Sequence, residues 1–257
     1  MSAVQAPNIL IATPTYGDML TVPYVNAAFE LLLTLQRLGI SHTFQFLSCS
    51  NIVEGRNSLI SMFLADRQYT HVLFWDADMG VKAEALIKLL KADKPLSGLI
   101  YHKKNLDWAK IRANAGAIAP TSDLVSSSLE FIVRYPGQID GGPVNVRVEN
   151  GLTEVETIGT GFLLIRRDCA DAMVKQFPNL LYRTRSGFRT DLPHYALFNC
   201  ILDEKEQRFY SEDYSFCLRW TRDCGGKIFA VVDATVVHAG QMALTANYMD
   251  KLKSGIP

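Results

Sequence analysis

In the stretch His71-Val72-Leu73-Phe74-Trp75-Asp76-Ala77-Asp78-Met79-Gly80, an uninterrupted apolar and aromatic run ends on two carboxylates spaced two apart. A short continuous run of this kind is how a strand buried on both faces reads. Acids placed directly after it sit at the carboxyl end of the strand, where open α/β sheets collect their ligands. Two carboxylates on one turn repel each other unless positive charge neutralises them. A divalent cation held by one or two carboxylates plus phosphate oxygens answers that need. The plain alternative is a surface turn, since Asp favours turns on its own account.

Working outward, Asn8 to Thr13 is short, branched and unbroken and stops at Pro14, which predicts a first buried parallel strand. Thr21 followed by Pro23 opens a helix predicted over Pro23 to Leu38, with Gly39 as its stop. His42 to Ser48 reads as a second strand, Glu54 to Arg67 as a second helix and His71 to Trp75 as the third strand, a βαβαβ opening. Ala85, Leu86, Leu89 and Leu90 form one face of a third helix over Lys82 to Lys91, and Leu96 to Tyr101 is a further strand. The first hundred residues therefore predict a doubly wound, mostly parallel α/β sheet with right-handed crossovers.

After that the pattern changes. Leu129 to Tyr135, Val144 to Glu149 and Glu154 to Ile165 are strand-like and are split by turn residues, among them Asn150-Gly151, a strong hairpin signal. Arg167 to Gln176 reads as a helix ending before Pro178. The polar, aromatic-dotted stretch from Asn179 to Gln207 reads as a lid or binding loop. Ser211 is placed to cap a last helix running to Cys224, and Ile228 to Val237 is a final strand. No repeat or linker divides the chain. It reads as one domain over 1–257, in two parts, 1–105 and 106–257, the second holding the last helix and the final strand.

Composition narrows the function classes. With 257 residues the chain can bury a sizeable core. Twenty-six Lys plus Arg balance twenty-six Asp plus Glu, so the electrostatic footprint of a general nucleic-acid binder is missing. Five scattered cysteines without a CxxC argue against a disulfide framework or zinc knuckle and point to reduced thiols in a cytoplasm. The start of the chain does not read as a signal peptide, and Phe29 to Leu38, broken by Glu30, Thr34, Gln36 and Arg37, cannot span a bilayer. Any membrane contact is expected to be peripheral. The tail from Leu244 to Lys253, with Leu244, Tyr248, Met249 and Leu252 at helical spacing, suits either a lipid surface or partner, or packing on its own domain.

A set of short motifs in fixed order carries a resemblance. These are Thr13-Pro14-Thr15-Tyr16, Val53-Glu54-Gly55-Arg56-Asn57, Phe74-Trp75-Asp76-Ala77-Asp78, Gly159-Thr160-Gly161-Phe162, Ser211-Glu212-Asp213-Tyr214 and His238. In this order the chain resembles the GT-A superfamily of nucleotide-sugar-dependent glycosyltransferases, and within it the small soluble family-2-like members. The resemblance implies a mostly parallel central sheet flanked by helices, with a smaller antiparallel acceptor half. It implies a UDP- or GDP-sugar donor, a saccharide or other hydroxyl acceptor, and Mn²⁺ or Mg²⁺. Thr13, Pro14, Thr15 and Tyr16, with Arg56, would lie against the base and ribose. Asp76 would contact the ribose or reach the metal through water, Ala77 would touch the donor, and Asp78 would hold the metal directly. His238 would be a further metal ligand, provided its strand folds back beside Asp78. A cation there would stabilise the charge developing on the departing diphosphate.

Ser211-Glu212-Asp213 at a helix start is explained either by capping and the helix dipole or by chemistry. An inverting transfer needs a carboxylate to take the acceptor's proton; the resemblance points to Asp213, with Glu212 as the substitute. Gly159-Thr160-Gly161 is not a dinucleotide fingerprint, because it runs on into a strand; Gly161 would instead bring backbone close to the donor sugar or acceptor. The arginines of Arg183 to Arg189, and His102-Lys103-Lys104, either close over a pyrophosphate or are solvated surface charge.

Three rivals remain in view. A phosphatase-like hydrolase wants its acidic pair on the first strand. A nucleotidyltransferase wants a Gly-rich basic loop where Pro14-Thr15-Tyr16-Gly17-Asp18 stands. A nucleotide- or sugar-binding module without turnover would use the same residues as the enzyme.

Overall fold

The computed structural model describes residues 6–116, 121–138, 142, 144–184, 188–240 and 249. The chain begins as β1 (Asn8–Thr15), α1 (Val22–Arg37), β2 (Ser41–Ser48), α2 (Ile52–Ala65), β3 (His71–Trp75), β4 (Met79–Val81), α3 (Ala83–Ala92), β5 (Leu96–Leu99) and β6 (His102–Leu106). The central sheet has seven strands in the order β2, β1, β3, Phe162–Arg166, β5, Ile228–Val231 and Leu152–Val155. Strands Phe162–Arg166 and Leu152–Val155 run against the others, so the sheet is mostly parallel. Small two-stranded ribbons surround it. This mixed α/β architecture is the one the sequence leads to.

Alternation along β1 and β3 makes two cores, one on each side of the sheet. Ile9, Ile11, Leu73 and Trp75 pack with Tyr24, Leu31 and Leu35 of α1 and with Leu86 and Leu89 of α3. Leu10, Ala12, Val72 and Phe74 point the other way, onto Leu59, Ile60 and Phe63 of α2, Met173 and Phe216. All are essentially fully buried, each stabilising the fold by roughly 1.5–3 kcal/mol for the larger side chains. This two-sided burial is why neither strand shows a polar face. The edge strand β2 alternates half-buried and exposed residues.

Several boundaries differ from expectation for identifiable reasons. Helix α2 starts at Ile52, because the Asn51 side chain accepts from the Val53 N–H at 3.0 Å and caps it earlier than Glu54. β5 does not lie beside β3. The segment Phe162-Leu163-Leu164-Ile165, buried on both faces, takes that central place in antiparallel register. The stretch from Glu154 to Ile165 is broken into Leu152–Val155, Thr157–Ile158 and Phe162–Arg166. Val144 to Glu149 is not a strand. Val146 and Val148 are exposed, and only Glu149 bridges to Leu152 around Asn150 and Gly151, both with positive φ. The hairpin turn is present while its ladder stops after one bridge.

The last helix is α-helical only over Glu212–Leu218 and continues as a π-helical turn over Arg219–Asp223. Ser211 is its N-cap by position, without a capping bond from its side chain. Ile228 to Val237 is two strands. The chain leaves the sheet after Val231, the Val232 N–H donating to the Gly151 carbonyl at 3.1 Å, and Val236–His238 pairs instead with β4. The Leu244 to Lys253 stripe lies outside the described residues apart from Met249, as do Arg185, Ser186 and Gly187. Among the described residues no helix is long and apolar enough to cross a membrane.

Candidate active site

The acids after Trp75 are held from several directions by backbone. The Asp76 N–H donates to the Gly161 carbonyl at 2.9 Å, and the Met79 N–H returns to the Asp76 carbonyl at 3.1 Å. The Thr21 N–H and Oγ1 both reach the Ala77 carbonyl, at 3.0 and 3.1 Å. The Ala239 N–H donates to the Asp78 carbonyl at 2.8 Å. Antiparallel pairing sets His238 opposite Met79, so the strand does fold back beside Asp78. Beside this turn, at the carboxyl ends of β1 and β3, lies a cleft of about 620 Å³. Its wall includes Pro14, Thr15, Tyr16, Asp76, Ala77 and Asp78.

Asp76 and Asp78 have different surroundings. Arg56 projects from α2 and is almost wholly buried. Its Nη2 donates to both Asp76 oxygens, at 3.0 and 3.2 Å, and its Nη1 donates to Glu212 Oε1 at 2.6 Å. Burial opposes the charge on Arg56, but the Asp76 and Glu212 carboxylates outweigh it and raise its pKa above the ordinary guanidinium range. Arg56 therefore knits α2, the β3 turn and the last helix together while also lining the cleft. Glu212 lines the cleft with its carboxylate already ion-paired.

Asp78 meets Lys104 and His238. The Lys104 ammonium is ion-paired to Oδ2. The His238 Nδ1 lies 2.7 Å from the His102 carbonyl, which can only accept. Nδ1 thus carries a proton, and Nε2 faces Asp78 Oδ1 at 3.6 Å. That separation is too long for a hydrogen bond, and Oδ1 is buried without a hydrogen-bond partner. Burial raises the Asp78 carboxyl, but His238 and Lys104 overcome it and hold its pKa below the ordinary range. An orphaned carboxylate oxygen facing an imidazole nitrogen fits a divalent cation whose other positions go to phosphate oxygens and water. Asp76 does not join them, and among the described residues no cluster of three or more His, Cys, Asp and Glu side chains is arranged to hold a metal.

The other residues singled out in the sequence are distributed as follows. Thr13 is buried, its hydroxyl bonded to the Tyr24 hydroxyl at 2.7 Å, and it does not line the cleft. Gly161 serves internal packing. Its N–H donates to the Tyr101 hydroxyl at 3.0 Å, and a Cβ there would overlap Met79 and Tyr101. Burial drives the Tyr101 phenol well above its ordinary pKa, so it stays protonated. Asp213 Oδ1 accepts from the Ser211 hydroxyl and from the Tyr214 N–H. Arg189 is paired with Asp191, and Lys103 with Glu130. Sequence reasoning missed Met19, Leu20, Cys49, Ser50 and Ile52 in the cleft wall. It also left the direction of Lys104 open. The Cys49-Ser50 end of β2 follows from parallel pairing with β1, but no motif marks it.

No protein-family model matches the chain and no curated protein matches it. Among solved structures it is similar to A197 from STIV, at 14% identity over 91% of this chain and 86% of that one, TM-score 0.48. It is also similar to the catalytic domain of Drosophila beta1,4-galactosyltransferase 7 in complex with xylobiose, at 14% identity over 96% and 80%, TM-score 0.46. A third likeness is to the inositol-1-phosphate CTP transferase from T. maritima, at 11% identity over 97% and 96%, TM-score 0.44.

Proposed function

We propose that the chain is a glycosyltransferase that moves a sugar from a UDP- or GDP-sugar to a hydroxyl of a saccharide or other acceptor, with inversion, using Mn²⁺ or Mg²⁺. The observation that carries this reading is the orphaned Asp78 Oδ1 facing the His238 Nε2 beside the 620 Å³ cleft. Asp78 and His238 are the residues that would hold the cation, which when bound supplies positive charge against the departing diphosphate.

The rest of the wall suits a nucleotide. Tyr16 and Met19 are largely exposed at the cleft and offer apolar and aromatic surface to a base. Thr15 and Ser50 offer hydroxyls to a ribose. The volume falls within the range of small-ligand clefts. Asp76, with its charge balanced by Arg56, retains partial exposure to accept from a ribose hydroxyl. Asp213 is the proposed base, because both its bonds end on Oδ1 and Glu212 is tied to Arg56. In this reading residues 1–105 hold the donor and residues 106–257 present the acceptor.

Thermal shifts with nucleoside diphosphates and Mn²⁺ identify the base, since a bound ligand stabilises in proportion to its occupancy. Release of the nucleoside diphosphate from a panel of donor sugars and hydroxyl acceptors, with and without Mn²⁺, then tests turnover. Tight binding with no transfer across the panel overturns the enzyme reading in favour of a binding module.

A further inference from the structure

Resting on that reading, we propose that Lys104 is a tethered cation that competes with the divalent metal for Asp78, so that metal binding dislodges the lysine ammonium and is favoured chiefly when a diphosphate is present. Three observations converge on it. First, Lys104 is the only Lys or Arg among the described residues ion-paired to Asp78, and it takes Oδ2 while Oδ1 faces His238. One carboxylate is thus shared between a resident monocation and the place where a metal would bind. Second, β6 supplies both parts. The His102 carbonyl fixes the His238 ring, and Lys104, two residues on, reaches Asp78, whereas Lys103 pairs with Glu130 at 2.5 Å. Third, the lysine stem runs across Gly240, where a Cβ would come within 2.5 Å of the Lys104 Cδ and 3.3 Å of its Cβ. The chain following His238 carries no side chain at the place where the lysine passes.

The consequence is electrostatic. A metal entering against an ammonium already on Asp78 meets like charge and must break an ion pair whose partners are each about one-third exposed. A pair of that exposure accounts for a factor of about five in affinity. A nucleoside diphosphate supplies negative charge for both cations, so metal and nucleotide bind cooperatively and each tightens the other by the same factor.

The test is Mn²⁺ binding followed by the electron paramagnetic resonance signal of free Mn²⁺, with and without UDP or GDP. It uses the wild type, Lys104→Met, Lys104→Arg and Gly240→Ala. Lys104→Met is expected to bind Mn²⁺ alone about fivefold more tightly than wild type and to show a smaller enhancement by the nucleotide. Lys104→Arg, which keeps the charge, stays near wild type. Gly240→Ala moves toward Lys104→Met, because the added methyl pushes the lysine off Asp78. Mn²⁺ affinity in Lys104→Met that is unchanged or weaker overturns the inference while leaving the cation site standing. Absence of Mn²⁺ binding in every form, with or without nucleotide, overturns both. Tightened Mn²⁺ binding in a protein that transfers no sugar supports the inference and removes the transferase reading.

Discussion

Arg56→Met tests whether the Asp76–Arg56–Glu212 contact is a structural keystone. Met keeps the length and apolar bulk of the side chain and removes three charged hydrogen bonds, those to Glu212 Oε1 at 2.6 Å and to the two Asp76 oxygens at 3.0 and 3.2 Å. What remains is two carboxylates, 23% and 18% exposed, around a vacated site that was 5% exposed. Breaking a buried pair by removing one partner costs about 3–5 kcal/mol. Because the carboxylates retain some water, the lower end applies, about 3 kcal/mol. In a chain of this size that lowers Tm by about 6–12 °C. Glu212→Gln alone leaves Arg56 on Asp76 and costs about 1 kcal/mol. The double variant should lose at least about 1 kcal/mol less than the sum, since the second change removes an anion that the first left uncompensated. Urea unfolding of the four proteins at pH 7 gives the coupling directly. Losses that add within about 0.5 kcal/mol, or a single Arg56→Met loss below about 1 kcal/mol, refute the argument.

His238→Ala should weaken Mn²⁺ binding measured in the presence of the preferred nucleoside diphosphate, with little change in unfolding midpoint; unchanged affinity removes His238 from the cation site. Asp213→Asn should bind donor as the wild type does and transfer sugar about 10²-fold or more slowly, and normal transfer would contradict its assignment as base. His71 gives a pH-dependent prediction. Burial first, and then the Arg166 charge, lower its pKa from 6.5 to about 4. Between those values the unfolded chain binds a proton that the native state does not, so stability rises with pH across the window and is lost as pH falls from about 6.5 to about 4. The loss is about 3 kcal/mol. His71→Gln should flatten that part of the urea-midpoint profile, and an unchanged slope would show that other groups carry it.

The sheet was legible where its strands are buried on both faces, since burial imposes a continuous apolar run regardless of what lies beside it. β1 and β3 emerge within two residues for that reason, and the edge strand β2 within one although it is half exposed. Strand order was not legible. Phe162–Arg166 and β5 are both short strands buried on both faces, and nothing local says which lies next to β3. Val144 to Glu149 failed in the opposite way. Its alternation suits a strand, but a strand also needs a partner, which only tertiary packing supplies. Gly161 illustrates the limit on glycine arguments. The residue is required by a close approach, and within the fold that approach is made by Met79 and Tyr101.

The acidic pair shows how a sound physical premise can lead to a conclusion it does not by itself carry. Two carboxylates on one turn do need compensating charge, yet the chain provides that charge itself, from Arg56 for Asp76 and from Lys104 for Asp78. Repulsion between the acids is therefore no argument for a metal. The proposed cation rests instead on a buried Asp78 oxygen without a hydrogen-bond partner, facing the Nε2 of a histidine whose Nδ1 donates to the His102 carbonyl. The two acids thus separate by role, with Asp76 as an anchor for the fold and Asp78 as the acid whose compensation is exchangeable.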